Sequence, residues 1–391
     1  MSSAAKPILP GATIGIIGGG QLGRMTAMAA RSFGYRIQVL DPDPSCPARF
    51  VVDGCFQASL DDTEAIADLA RGCDVVTLEI EKVGLDSLRT AAVHAPVRPD
   101  AAVLEIIQHR ARQKEWLQQN AFPVGPFRII TSVSELEHAA RDLSKTPDTT
   151  FFVKTAQGGY DGRGQTILRA ADDAQKAWLY LGAEVCVIEQ ALEIDFEISV
   201  LAARRPSGDC VIYPAALNHH ENRILDWSVI PAPIPDTLAR TAAEHARSLV
   251  TKLNVAGLLA VEMFITKASA THPAQLLINE LAPRPHNSYH ASERACVTSQ
   301  FEQHVRAVCD LPLGLPDVTT PAAIINLLGD LWLKHPQPDF ASALAVPGIR
   351  LHLYEKLVPK AGRKMGHLSA TGATPNQAVA RVLEAKALLD K

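Results

Sequence analysis

The chain has 391 residues, 47% of them hydrophobic and 20% charged, with 38 Lys and Arg against 42 Asp and Glu and a formal net charge of −4. This length predicts two or three domains, and the composition excludes an intrinsically disordered chain. The near-neutral charge lacks the sequence-wide basic footprint used to bind nucleic acids or anionic membranes, so neither is expected as a partner.

Seven cysteines are scattered singly along the chain and form no CxxC pair. This spacing predicts free thiols in a reducing compartment, not a disulfide framework or a zinc site. The most apolar late run, 322–333, is interrupted by Asn326 and Asp330 and is too short to span a bilayer. A cytoplasmic protein is therefore expected.

Strands and helices alternate in the first quarter of the chain. The predicted strands are Thr13–Ile17, Ile37–Leu40 and Val75–Leu78, and the predicted helices are Leu22–Phe33 and Thr63–Ala70. Such alternation is typical of a parallel sheet with helices on its faces. A polar helix is predicted over Gln108–Asn120, and the prolines after it indicate the first domain boundary.

A glycine-rich turn, Gly18–Gly23, fits the pattern GxGxxG between the first strand and the first helix, and Asp41 ends the next strand. This pattern is compatible with dinucleotide binding, because glycine amides at a helix N-terminus can approach a phosphate. Glu79 and Glu81 end the following strand, where carboxylates could bind the ribose of a mononucleotide-like substrate. A tight structural turn with solvated acids fits the same residues.

A second glycine-rich segment, Gln157–Gly164, follows Lys154 at the end of the predicted strand Phe151–Lys154. We interpret it as a flap whose amides cover phosphates while Lys154 and Arg163 neutralise charge. It matches neither a Walker A loop nor a kinase loop, and a plain hairpin tip is the alternative. Further elements of this small α/β unit are predicted at Thr166–Leu168, Ala174–Leu181 and Val185–Glu189.

The segment Val187–Leu192 passes from an apolar strand into a short connector, and Glu197 follows it. Such a connector could stack on a purine while Glu197 binds ribose hydroxyls. An exposed linker would have the same sequence pattern and is the alternative. The remaining elements of this region are predicted as strands Glu197–Ala203, Cys210–Ala215, Leu258–Ile265 and Leu276–Leu281, and a helix Thr237–Leu253.

Two glutamates, Glu262 and Glu280, interrupt apolar strands. A hairpin symmetric about Thr271 would place them directly opposite each other, which is unfavourable for like charges unless a cation lies between them. Oxygen ligands suit Mg²⁺ carrying a nucleotide, and Asn279 and Asn287 could complete the coordination. A solvated polar face is the alternative.

Together these motifs resemble the ATP-grasp superfamily and, within it, the N5-carboxyaminoimidazole ribonucleotide synthetase family. The segments that carry the resemblance are GGGQLGRM at Gly18–Met25, EIE at Glu79–Glu81, GGYDGRGQ at Gly158–Gln165, NELAPRPHNS at Asn279–Ser288 and GRKMGHL at Gly362–Leu368. The resemblance implies an α/β and α+β chain. Its expected parts are a Rossmann-like pre-ATP-grasp parallel-sheet domain (1–109), an ATP-grasp region (110–311) with a small lid (128–190), and the C-terminal part of the antiparallel-sheet body with a substrate-phosphate segment (312–391).

The resemblance also implies roles for individual residues. Those expected to bind ATP are Arg110, Lys154, Gly159, Tyr160, Asp161, Gly162, Arg163, Gly164, Gln165, Glu189, Gln190, Ala191, Leu192, Glu197, His220, Asn279 and Glu280. Those expected to hold Mg²⁺ or Mn²⁺ are Glu262 and Glu280. Those expected to bind the ribonucleotide and bicarbonate are Gln21, Glu79, Arg284, His286, Asn287, Lys356, Arg363 and Lys364, and the catalytic set is Tyr160, Asp161 and Arg284.

The implied reaction is carboxylation of the 5-amino group of 5-aminoimidazole ribonucleotide by bicarbonate and ATP in purine biosynthesis, by a homodimer. Another ATP-grasp ligase, such as a formate-dependent glycinamide ribonucleotide transformylase or a biotin carboxylase-like enzyme, shares Lys154 and the two glutamates. A nicotinamide dehydrogenase and a nucleotide-binding regulator are further alternatives. The sequence leaves open whether His219 or His220 takes the nucleotide role, and the tail after Thr371 matches no motif.

Overall fold

The computed structural model describes residues 6–144, 146, 149–158, 164–169, 171–268 and 273–389. Within them the chain forms one parallel and two antiparallel sheets with helices packed on their faces. No helix in the described residues has the length and apolar character needed to cross a bilayer. All seven cysteines are free, as predicted.

The N-terminal sheet is parallel, with strand order β3-β2-β1-β4. Its strands are β1 (Thr13–Ile17), β2 (Arg36–Asp41), β3 (Gly54–Gln57) and β4 (Val75–Leu78). The accompanying helices are α1 (Gln21–Ser32), α2 (Thr63–Arg71), α3 (Leu85–Ala91), α4 (Ala101–Ile107) and α5 (Arg110–Gln119). Every residue of β1 and β4 is buried, as expected where helices cover both faces of a parallel sheet. The predicted parallel-sheet unit is confirmed.

The predicted helix at Gln108–Asn120 begins two residues later than expected. The helical conformation is interrupted between α4 and α5. The His109 side chain caps α5 by accepting a hydrogen bond from the Arg112 amide at 3.3 Å. A side-chain acceptor at this position satisfies one of the free amides of a helix N-terminus. The cap places Arg110 at the first turn, where its own amide donates to the Ala156 carbonyl at 2.8 Å.

A small antiparallel sheet follows, with strand order β5-β8-β6-β7. Its elements are β5 (Phe127–Ile130), α6 (Val133–Leu143), β6 (Phe151–Thr155), β7 (Gln165–Leu168), α7 (Ala174–Leu181) and β8 (Cys186–Gln190). Both helices pack on the sheet around a separate hydrophobic core that includes Phe151, Val153 and Ile188. Of these, β6, β7, α7 and β8 match the predicted small α/β unit, whereas β5 and α6 were not predicted.

The largest sheet is antiparallel, with strand order β14-β13-β9-β11-β12-β15-β17-β16 and β10 paired with β9. Its strands are β9 (Ile194–Arg204), β10 (Cys210–Ile212), β11 (Ala216–Glu221), β12 (Ile224–Ile230), β13 (Gly257–Thr266), β14 (Leu276–Ala282), β15 (Ala322–Leu328), β16 (Arg350–Leu353) and β17 (Lys364–Thr371). The helices that pack around it are α8 (Asp236–Lys252), α9 (Ser292–Ala295), α10 (Gln300–Val308), α11 (Gly329–Lys334), α12 (Phe340–Leu344) and α13 (Pro375–Leu389).

Strands β11, β12, β15, β16 and β17 were not predicted, and β10 and the C-terminal tail also differ from expectation. Strand β10 ends at Ile212, not at Ala215, because Pro214 has no amide to donate to a ladder. The tail after Thr371 becomes α13, and its apolar residues pack against the core under β15 and β17. The tail is therefore structural.

The β13–β14 hairpin pairs Glu262 with Glu280, as the sequence predicts. The full symmetric register is wrong, because the pairing shifts beyond Glu262, so that Met263 faces Ile278 and Asn279 is an extra residue in β14. Thr271, the predicted centre, lies outside the described residues. A bulge of this kind turns a side chain away from regular alternation.

Candidate active site

A cleft of about 1950 Å³ lies where the three sheets meet. It is lined by nearly every predicted site residue that the structure describes, namely Gln21, Glu79, Arg110, Lys154, Gln165, Glu189, Gln190, Ala191, Leu192, Glu197, His220, Glu262, Asn279, Glu280, Arg284, His286, Asn287, Lys356, Arg363 and Lys364. Gly164 is not among the lining residues. Gly159, Tyr160, Asp161, Gly162 and Arg163 lie outside the described residues, so their roles stay predictions.

The glycine-rich turn after β1 uses its amides on the protein's own carboxylates. The Gly20 and Gly23 amides donate to the two carboxylate oxygens of Glu79 at 2.6 and 2.7 Å, and the Gly19 amide donates to Asp41 at 2.6 Å. A side chain at Gly20 would collide with the Glu79 carboxylate. Because the helix N-terminus is already occupied by an anion, this geometry does not favour a dinucleotide pyrophosphate at the turn.

The Glu79 carboxylate is held at the base of the cleft. Burial raises its pKa, and the two amide hydrogen bonds only partly offset this. Nearby, Glu81 Oε1 lies 2.7 Å from Arg284 Nε, joining the parallel sheet to the segment after β14. Burial alone would lower the pKa of Arg284, but Glu81 and the other acids outweigh it and raise that pKa. Arg284 is therefore a fixed cation beside the predicted substrate end.

Two lysines share one buried glutamate at the other end of the cleft. Glu189 lies 2.6 Å from Lys154 Nζ and 3.5 Å from Lys114 Nζ. Burial alone would raise the pKa of Glu189, but the two lysines outweigh it and hold that pKa at about 2. The carboxylate is therefore charged throughout the neutral range and fixes both ammonium groups.

Lys114 lines the cleft but was not predicted from the sequence. It lies in α5 with only 4% of its side chain exposed, and burial lowers its pKa. It follows Arg110 by four residues, so both side chains lie on the same helix face and both line the cleft. The four-residue spacing between Arg110 and Lys114 could have indicated this shared position. It was not recognised because the helix contains many other polar residues.

Arg110 and the opposed glutamates form a charged group across the hairpin. Arg110 Nη1 lies 3.2 Å from Glu280 Oε2, and Glu262 Oε1 lies 3.2 Å from His286 Nε2. Burial would raise the pKa of Glu262, but contact with His286 and nearby cations outweighs it and holds that pKa at about 2. Glu262 thus presents a charged carboxylate on the cleft wall that Glu280 also lines.

The same wall offers neutral oxygens suited to a cation. Among the described residues, Asn279 Oδ1 and Asn287 Oδ1 are buried without a hydrogen-bond partner. Buried polar atoms are normally satisfied, so unpaired amide oxygens next to paired carboxylates fit a ligand that supplies positive charge. Two carboxylates and amide oxygens are hard donors of the kind that Mg²⁺ prefers. The residues present therefore fit a magnesium ion.

The two neighbouring histidines of β11 face different environments. His220 Nδ1 lies 2.7 Å from Glu197 Oε2 and lines the cleft, whereas His219 is exposed and stacks on Trp227 with ring centroids 5.0 Å apart. Burial would lower the pKa of His220, but contact with Glu197 outweighs it and raises that pKa. His220, and not His219, is therefore the histidine that lines the cleft, and its nucleotide role stays a prediction.

The C-terminal basic segment, Lys356–Lys364, reaches the glycine-rich turn Gly18–Gly23. Lys356 Nζ donates to Gln21 Oε1 and to the Lys364 carbonyl, both at 2.6 Å, so residues 335 positions apart come together. The Arg363 guanidinium donates to the Val358 carbonyl at 2.8 Å. This arrangement places three cations on the cleft wall beside Glu79 and Gln21.

Three family models match consecutive parts of the chain. The ribonucleotide synthetase preATP-grasp domain matches residues 11–108, the ATP-grasp domain matches 115–301, and the phosphoribosylaminoimidazole carboxylase C-terminal domain matches 322–381. The three matches together account for most of the chain.

Curated relatives are similar over nearly their whole length. The N5-carboxyaminoimidazole ribonucleotide synthase of Bacillus subtilis (strain 168) is 40% identical over 363 residues, which cover 93% of this chain and 92% of that protein. The enzyme of the same name from Brucella melitensis is 40% identical over 362 residues, covering 92% and 96%.

Solved structures agree in fold. An ADP complex of an N5-carboxyaminoimidazole ribonucleotide synthetase superposes with a TM-score of 0.90 at 39% identity and covers 98% of both chains. A complex of the Aspergillus clavatus N5-carboxyaminoimidazole synthase with ADP and 5-aminoimidazole ribonucleotide superposes with a TM-score of 0.87 at 29% identity, covering 97% of this chain and 98% of that one.

Proposed function

The chain belongs to the N5-carboxyaminoimidazole ribonucleotide synthase family of ATP-grasp ligases, and from that membership we propose how three adjoining subsites of its cleft divide the reaction. Its activity is the ATP-dependent carboxylation of 5-aminoimidazole ribonucleotide to N5-carboxyaminoimidazole ribonucleotide in purine biosynthesis. The observation that carries the proposal is that residues from all three sheets line a single cleft.

The nucleotide subsite lies between the small sheet and the hairpin. Lys154, fixed by Glu189, is placed to neutralise phosphate charge, and the connector Glu189–Leu192 lines the cleft where a purine could lie. Glu197 and His220 form a paired acid and base suited to ribose hydroxyls. Arg110 and Asn279-Glu280 complete this end. Phosphoryl transfer depends chiefly on positioning and charge stabilisation, which this set supplies.

Glu262 and Glu280 would hold Mg²⁺, or Mn²⁺, with Asn279 and Asn287 as neutral oxygen donors. Such an ion would supply positive charge that stabilises the phosphoryl group during its transfer. The protein's own contribution is to hold both acids in position: His286 contacts Glu262, and Arg110 contacts Glu280.

The bicarbonate subsite adjoins the metal pair. We propose that the γ-phosphoryl group of ATP passes to a bicarbonate oxygen, giving carboxyphosphate and ADP. Arg284, His286 and Asn287 would bind this intermediate, with Arg284 held by Glu81 at 2.7 Å. The 5-amino nitrogen then attacks the carboxyl carbon, the C–O bond to phosphate breaks, and the departing inorganic phosphate takes up the proton that the amine loses.

The ribonucleotide subsite lies between the parallel sheet and the C-terminal segment. Gln21 and Glu79 face this region, and Lys356, Arg363 and Lys364 supply positive charge for the phosphate monoester. The turn amides are occupied by Glu79 and Asp41, which supports binding of that phosphate by the basic segment.

Water must be excluded while carboxyphosphate exists, because the intermediate hydrolyses readily. The flap Gly159–Gln165, with Tyr160 and Asp161 near the amine, is the proposed cover. Gly158, next to it, has a positive φ of 80° and accepts a hydrogen bond from Lys82 Nζ at 3.1 Å. We further propose a homodimer, as the family resemblance implies, and a cytoplasmic location, as the scattered cysteines favour.

Release of ADP, measured with 5-aminoimidazole ribonucleotide and bicarbonate each omitted in turn, tests the proposal. Bicarbonate-depleted buffer and omission of the ribonucleotide should each lower turnover by at least about tenfold. Undiminished turnover in either case would contradict the assignment. Formate with glycinamide ribonucleotide serves as the control for the sibling transformylase reaction and should give only background ADP.

A further inference from the structure

A second group of metal-binding side chains lies outside the cleft. Glu293, His352 and His367 each offer one ligand atom, and the three atoms lie within 4.8 Å of one another. None of the three lines the 1950 Å³ cleft formed by the described residues. The cluster is therefore separate from the opposed glutamates of the hairpin.

The secondary structure fixes two of these ligands. His352 in β16 and His367 in β17 are directly paired in the antiparallel register, and their rings stack with centroids 5.1 Å apart at 18°. His290 stacks on His367 at 5.0 Å, and the Tyr354 hydroxyl lies 2.8 Å from His367 Nδ1. Because Tyr354 occupies Nδ1, the Nε2 atom of His367 is the one left for an ion. Such outer hydrogen bonds orient a histidine toward a metal.

The third ligand lies at the entrance. Glu293 is exposed, His352 is partly buried and His367 is buried, so the ligands descend from the surface into the protein. Glu293 and His352 also line a cavity of about 270 Å³ between α1, α10 and β16. This cavity gives an ion a route to Glu293 and His352 and room for a water molecule as an additional ligand.

We propose that Glu293, His352 and His367 form a second metal site for a transition-metal ion such as Zn²⁺. Imidazole nitrogens favour Zn²⁺ over Mg²⁺, and two histidines with one carboxylate leave a fourth tetrahedral position open. In a tetrahedral site the ligand atoms would be about 3.3 Å apart, from metal–ligand bonds of about 2 Å. The exposed Glu293 side chain can make that adjustment at little steric cost.

The charges around the cluster are compatible with an ion. Arg24, the cation that acts on His352, is paired with Glu355 at 3.0 Å. Arg350 is the cation whose charge acts on Glu293. The ion would add one bond across the β16–β17 pair and one from that pair to α9.

The site would also reach the ribonucleotide end of the cleft through Tyr354. The Lys356 ammonium lies 5.5 Å from the centre of the Tyr354 ring, whose hydroxyl contacts His367. An ion that fixes His352 and His367 would therefore restrain the segment after β16 that carries Lys356. The proposed metal site would therefore affect how rigidly the basic segment is held, but the ion would take no part in the carboxylation reaction.

Cobalt titration of the chelator-treated full-length protein in excess Mg²⁺ tests the proposal, because Mg²⁺ occupies oxygen-ligand sites and tetrahedral Co²⁺ absorbs in the visible. One equivalent of Co²⁺ should bind with tetrahedral bands and be displaced by one equivalent of Zn²⁺. Glu293→Gln and His352→Ala should each weaken binding by about 100-fold or more, beyond the 10- to 100-fold typical of an outer-shell change. His94→Ala, at an exposed histidine elsewhere, is the matched control.

The proposal would be overturned by the absence of a tetrahedral Co²⁺ band in the wild-type protein, by equal binding by Glu293→Gln and the wild type, or by loss of binding in the His94→Ala control. A thiolate charge-transfer band would also overturn it, because it would place the ion at cysteine. If His352→Ala fails to fold, the exposed Glu293→Gln variant still decides the question, with circular dichroism as the check of its fold.

Discussion

The buried triad of Glu189, Lys154 and Lys114 yields a quantitative prediction. In Glu189→Gln the shape is kept, but two ammonium groups lose their common counter-ion. Only 12% of the Glu189 side chain is exposed, against 4% for Lys114 and 13% for Lys154. Solvent therefore screens these charges poorly, and the substitution should strongly destabilise the small sheet.

The magnitude follows from the Glu189 carboxylate. Its pKa is about 2 in the folded protein because the lysines outweigh the effect of burial, against an ordinary value of 4.5. A difference of this size corresponds to about 3 kcal/mol, which agrees with the ~3–5 kcal/mol typical for removing one partner of a buried ion pair. Lys114→Met should change stability by less than about 1 kcal/mol, because Glu189 keeps Lys154 while a desolvated cation is removed.

Native-state hydrogen exchange resolved to β6 and β8 is the suitable assay, because it reports local unfolding without requiring the whole chain to unfold in one step. Glu184→Gln, at an exposed position just before β8, is the matched control and should leave exchange unchanged. The double variant Glu189→Gln/Lys114→Met should recover at least about 1 kcal/mol relative to Glu189→Gln, since only one lysine is then unpaired.

The pH dependence provides a second check. A carboxylate with a lowered folded-state pKa stabilises fully above its unfolded value and loses that contribution as pH falls toward the folded value. The difference between wild type and Glu189→Gln should therefore shrink between pH 4.5 and about 2. A Glu189→Gln effect below about 0.5 kcal/mol at pH 7, or a double variant less stable than both single ones, would refute the reasoning.

Three further predictions concern the cleft. Glu280→Gln should lower the rate of ADP release by at least about 100-fold with an unchanged circular dichroism spectrum, because it removes a proposed metal ligand; undiminished turnover would exclude that role. Lys364→Ala should raise the KM for 5-aminoimidazole ribonucleotide by about tenfold while the KM for ATP stays constant, with exposed Lys334→Ala as control; an effect confined to ATP would contradict the phosphate assignment. His220→Gln should destabilise more at pH 6 than at pH 9, because Glu197 outweighs burial to raise the pKa of His220 and this contribution is lost as pH rises through that value; equal losses in urea unfolding at both pH values would count against the pair.

Local patterns predicted much of this architecture. The strands Thr13–Ile17 and Val75–Leu78 and the helix Ala174–Leu181 have the predicted bounds, because each is a short apolar or amphipathic run bounded by turn residues. The Glu262–Glu280 pair followed from hairpin symmetry alone. The bulge at Asn279 did not, since a bulge depends on how neighbouring strands pack.

Local sequence patterns did not predict which charged residues pair across long distances in the chain. Lys114 reads as one more polar residue of a solvated helix, and only the approach of β8 to α5 makes it a buried partner of Glu189. The cluster of Glu293, His352 and His367 has ligands from three separate elements, with no ligand spacing that a motif could show.

The sequence by itself determined the family, the order of the structural units and the residue types that each subsite would need, because these depend on short motifs and local periodicity. Tertiary structure alone decided which partner each charge finds. In the folded chain the glycine amides donate to Glu79 and Asp41, and His220 but not His219 lies in the cleft. Lys356 contacts Gln21, which lies 335 positions away in the sequence. The physical reason is that burial and electrostatic pairing depend on distance in space, which a sequence specifies only through the complete fold.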